Sequence, residues 1–81
     1  MHVKILGPLG QDIARLERGV REALRRLAVE ATVELVHDAR TIVRHGVRTA
    51  PALVVDGRVI VAGRVPTAAE VQSLLASAPA A

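Results

Sequence analysis

The side chains of this 81-residue chain that could do chemistry are few and scattered. Cysteine is absent, which removes thiolate nucleophiles, disulfides and zinc-thiolate clusters together. His2, His37 and His45 lack the i,i+3 or i,i+4 spacing of a helical ligand pair, so no metal and no cofactor is expected. Ser73 and Ser77 fall in a stretch of helical period, away from any sharp strand-to-helix turn, so no serine nucleophile is expected either. Two segments keep residues that hold a ligand without covalent chemistry. Gly7-Pro8-Leu9-Gly10-Gln11-Asp12 leads into a helical pattern, whose first amides could receive an anion. The G-K-[ST] ending of a phosphate loop is missing, and Asp12 sets a negative charge in the first turn. A tight turn capped by Asp12 is the expectation. Thr49-Ala50-Pro51 is the second segment, where Pro51 removes a ladder donor and marks the first residue of a strand.

Charge gives a weaker signal. The formal net charge is +3, from eleven cationic and eight acidic side chains. Arg15, Arg18, Arg21, Arg25 and Arg26 share one helical pattern with Asp12, Glu17 and Glu22. Glu17–Arg21 and Glu22–Arg26 stand at i,i+4 in the favoured orientation, so a solvated face is expected rather than a nucleic-acid reader. The absence of Phe, Tyr and Trp removes the platforms on which single strands stack. No stretch reaches the roughly 18 apolar residues of a membrane span. Residues 1–10 carry Lys4 as their sole cation and no cleavage pattern, so the expected compartment is the cytoplasm. The lack of Cys and Asn fits a heat-adapted source and an Arg- and Ala-rich genome equally well.

The elements that must position these segments are legible in the apolar periods. Residues 2–6 read as a strand ending at Gly7-Pro8. Ile13, Leu16, Val20, Leu24 and Leu27 recur at spacings of three and four, predicting a helix over about 11–28. Residues 32–36 alternate as a strand with one polar face, and Asp38 then caps a short helix ended by Gly46. Residues 52–55 are apolar on both faces, which predicts a central strand. Asp56-Gly57 is a hairpin turn leading to a strand at 59–62. Thr67 to Glu70 has the capping-box pattern before a last helix, and residues 77–81 are expected to fray. The expected core is Val3, Ile5, Ile13, Leu16, Val20, Leu24, Val33, Leu35, Leu53, Val55, Ile60, Val71 and Leu74. One α/β domain over 1–81 follows, in the order β-α-β-α-β-β-α, with a right-handed parallel first unit.

That order, with a proline opening the third strand, resembles the thioredoxin fold. The run Thr49 to Gly57, continuing through Gly63-Arg64-Val65-Pro66 to Glu70, resembles the small thioredoxin-like redox-disulfide proteins of microbes, as do Val3 to Gly7 and Leu16-Glu17. The likeness spans about residues 2–76. It implies a four-stranded mixed sheet of order 2-1-3-4 flanked by three helices, and a cis Ala50–Pro51 bond facing the loop after the first strand. The family carries G-x-G-C-x-x-C in that loop. Aligned on Gly7 and Leu16-Glu17, Gly10 stands at the first cysteine position and Ile13 at the second. No thiol-disulfide exchange is therefore expected.

The resemblance further implies that the backbone of Ala50 could pair with an extended peptide. The groove it implies comprises Leu9, Gly10, Gln11, Asp12, Thr49, Ala50 and Pro51. Leu9 has no partner on the helical stripe, so it is expected at the surface as an apolar lip, while Ile13 turns inward. The expected function is a redox-inactive binder of an unknown protein or peptide, with no catalytic residue. Two alternatives stay open: a structural or homodimeric protein whose groove is vestigial, and a weak binder of a glutathione-like ligand.

Overall fold

A computed structural model describes residues 1–77 of the chain. Its elements are β1 (His2–Leu6), α1 (Gln11–Leu27), β2 (Thr32–Val36), α2 (Ala39–Arg44), β3 (Ala52–Val55), β4 (Arg58–Ala62) and α3 (Ala68–Ser77). Ser77 thus closes a helix, and the rest of the expected frayed tail lies outside the described residues. The sheet order is β2-β1-β3-β4. β1 runs parallel to β2, with His2 opposite Thr32 and Leu6 opposite Val36. β3 is antiparallel to both β1 and β4. Asp56 and Gly57 take φ of 48° and 85°, the paired positive values that a two-residue hairpin turn requires.

The two faces of the sheet are filled unequally. On one, Val3, Ile5, Leu53 and Val55 pack beneath Ile13, Leu16, Val20 and Leu24 of α1 and Val71 and Leu75 of α3. On the other, Leu6, Val36, Val47, Ala52 and Val54 meet only Ile42 of α2, and no α2 residue is itself buried. β3 is buried along its whole length, as a continuous apolar run demands. Leu53 pairs with Val61 and Val54 with Val59, so Ile60 is an extra residue. That bulge directs both Ile60 and Val61 to the larger core.

Leu35 corrects the expected core: it is 38% exposed. Its alternation with Val33 was sound, but β2 is an edge strand and the helical layer does not reach over its far end. Val33, Ile60 and Leu74 pack against the larger core while remaining partly exposed. Every expected core residue belonged to the α1 face. The second face adds Leu6, Val36, Val47, Ala52 and Val54.

Capping chemistry sets the two shorter helices. Asp38 accepts the Thr41 N–H at 3.1 Å and the Thr41 hydroxyl at 2.7 Å. The hydroxyl bond is the main reason its carboxyl sits below the ordinary range. Thr67 Oγ1 accepts the Glu70 N–H at 3.1 Å. The Glu70 carboxylate departs from the expected box, being turned mainly to Arg64, whose Nη1 donates to it at 2.8 Å. Arg64 holds that carboxyl below its usual value, and the Thr67 N–H is the weakest of its acidifying contacts.

Candidate functional site

Gly7 is the junction of the expected groove. Its N–H extends the β1–β2 ladder by donating to the Val36 C=O at 2.9 Å. Its φ of +155° disfavours other residues, and a Cβ there would lie 2.6 Å from Ile13 Cδ1 and 3.5 Å from the Ala50 methyl. The loop, the first helix and the Ala50-Pro51 segment therefore converge on one glycine. Ile13 is turned inward and 4% exposed, as its place on the apolar stripe predicts. Leu9 is 68% exposed.

α1 starts at Gln11 with Gly10 as its N-cap. Gly10 has φ 164° and ψ −168°, an extended backbone open to any residue, and a Cβ there would meet nothing within 4 Å. No side chain caps this helix, which corrects the expected role of Asp12. Asp12 is the second residue inside the helix, past the position from which a side chain folds back onto the first amides. Gly10, Gln11 and Asp12 are all exposed.

The Ala50–Pro51 peptide is cis. Pro51 is buried, and its C=O accepts the Gly63 N–H at 2.9 Å. Thr49 leans on the same glycine: a Cβ on Gly63 would lie 3.5 Å from its Cγ2. Gly63 thus braces the segment from below, a role the sequence shows only as a strand end. Among the described residues, neither the N–H nor the C=O of Ala50 takes part in a backbone hydrogen bond. The segment offers one free backbone donor and one free acceptor at Ala50, with no thiol beside them.

The remaining candidates lie elsewhere. His2 Nε2 is 3.1 Å from Glu34 Oε1, and His45 Nδ1 is 2.8 Å from the Thr41 C=O. The carbonyl can only accept, so His45 carries its proton on Nδ1, leaving Nε2 to accept from Lys4 Nζ at 3.3 Å. His37 is exposed. Among the described residues no three His, Asp or Glu side chains gather as a metal site. Glu17 pairs with Arg21 at 3.0 Å and Glu22 with Arg26 at 2.9 Å, as their spacing predicts. No helix among the described residues is long and apolar enough to cross a membrane.

A parallel β-α-β unit followed by an antiparallel hairpin and a closing helix, with a proline entering the third strand, is the thioredoxin fold. Residues 1–76 match the thioredoxin domain family, and the chain belongs to it. It is 31% identical over 75 residues to a protein named thioredoxin from Methanothermobacter thermautotrophicus, which covers 93% of this chain and 97% of that one. The chain has the family's fold without cysteine, so it is not a thiol-disulfide oxidoreductase.

Proposed function

We propose that the protein is a redox-inactive, non-catalytic member of its family that binds an extended peptide or protein segment in the groove between residues 8–13 and 49–51. The observation that carries this reading is the free backbone of Ala50, beside the buried Pro51 and held in place by Gly63. A peptide lying along it would gain main-chain hydrogen bonds from Ala50 and apolar contact from Leu9. Gly10 and Ile13 supply no reactive atom, so the encounter ends in binding. A cytoplasmic setting belongs to the same reading.

Leu9→Asp is the direct test. It changes an exposed side chain, so stability should move by less than about 0.5 kcal/mol. Partners captured from the native source should be lost or weakened, read by pull-down against the wild type. Normal capture by the folded variant, or unfolding of the variant, would overturn the role given to Leu9.

A further inference from the structure

The edge strand β2 carries observations that the groove does not use. Thr32 N–H donates to the Met1 C=O at 3.0 Å, and the Val36 C=O accepts the Gly7 N–H at 2.9 Å. Alternation along a parallel ladder then turns Thr32, Glu34 and Val36 toward β1. It aims the N–H and C=O of Val33 and Leu35 away from the sheet. Among the described residues no other backbone hydrogen bond reaches either residue. On the α1 face Leu35 is 38% exposed, and Val33 lines a groove of 810 Å³ in which Leu24 and Val29 stand beside Arg21, Arg25 and Glu30. On the opposite face stands Glu34, half exposed, with its Oε1 3.1 Å from His2 Nε2 on β1 and, among the described residues, its other oxygen free to meet a cation. The other edge, β4, is interrupted by its bulge, a device that blunts pairing.

We infer that β2 is a docking edge for an extended segment of another protein, of alternating apolar–cationic–apolar pattern. Added antiparallel, the segment sets apolar residues opposite Val33 and Leu35, where each pair exchanges two hydrogen bonds. The residue between them faces Glu34 in the non-hydrogen-bonded pair, where side chains approach most closely. A Lys or Arg there is attracted and a carboxylate repelled. Glu34 also selects against a second copy of this chain. The two-fold pairing that uses both outward residues of each copy sets Glu34 against Glu34 at that same close position.

The probe is a capped five-residue peptide, Thr-Val-Lys-Val-Thr, compared with one bearing Glu in place of Lys, each titrated into isotope-labelled protein. The lysine peptide should shift and protect the Val33 and Leu35 amides. The glutamate peptide should bind more weakly, by up to about five-fold. Glu34→Lys should reverse that order. Leu35→Pro should abolish binding while keeping the fold, because the amide it removes points outward. Equal affinity for the two peptides, or unchanged binding by a folded Leu35→Pro, overturns the inference. If Leu35→Pro does not fold, an unreversed preference in Glu34→Lys overturns it alone. Shifts confined to residues 8–13 and 49–51 would overturn it while favouring the groove reading, which rests on different atoms. Val33 and Leu35 protected in a peptide-free dimer would make a second copy the occupant and also overturn it.

Discussion

Two glycines four residues from the end of β1 or closer have opposite tolerances. Gly7 has a positive φ and no room, since a Cβ would press on the buried Ile13. Gly7→Ala should cost about 1–3 kcal/mol, measured by chemical unfolding. Gly10 is extended and open, so Gly10→Ser should leave stability within about 0.5 kcal/mol or raise it by supplying the missing cap. The sequence shows both as glycines in one loop and cannot separate them. What separates them is the inward turn of Ile13, which the helical stripe does predict, and the approach of Ala50, which comes from across the sheet. Leu9 was legible as a surface residue because it stands in the Gly-Pro-Leu-Gly loop, ahead of the helical stripe that begins at Ile13. Asp12 misled because its type suits a cap while its position, two residues into the helix, does not.

Among the elements, α2 depends most on its ends. It has six residues, none buried, and is tied down by Asp38 at its start and by His45 reaching Lys4 at its finish. Asp38 and Glu70 both have carboxyls lowered by hydrogen bonds, from Thr41 and Arg64 respectively. A lowered carboxyl stabilises the fold above its unfolded value and ceases to do so as pH falls through its folded value. For Glu70 that loss begins near its ordinary 4.5 and continues below it. The unfolding temperature should therefore hold between about pH 6 and about pH 5 and fall from there to about pH 3, and Glu70→Gln should flatten part of that fall. Element bounds were legible almost to the residue because glycine, proline and the caps punctuate each apolar run. The reach of the helical layer over β2 was not, since alternation reports which way a side chain points and not what covers it.

For the molecule as a whole, stability is concentrated on one face. Leu16 is fully buried between α1 and the sheet, and Leu16→Ala should cost about 2–5 kcal/mol, close to the entire stability of so small a domain. Leu35→Ala, at the uncovered end of β2, should stay within about 0.5 kcal/mol by the same denaturant measurement. The second face has a thin core and a helix with no fully buried residue, docked through the half-buried Ile42. That asymmetry gives the native state a weak side. α2 is therefore expected to open by a local fluctuation while α1, α3 and the sheet stay assembled. Amide hydrogens of α2 should then exchange with solvent far faster than those of β1 and β3, which need global unfolding to be released. Of the three layers, the one formed by α2 should be the first to open to water.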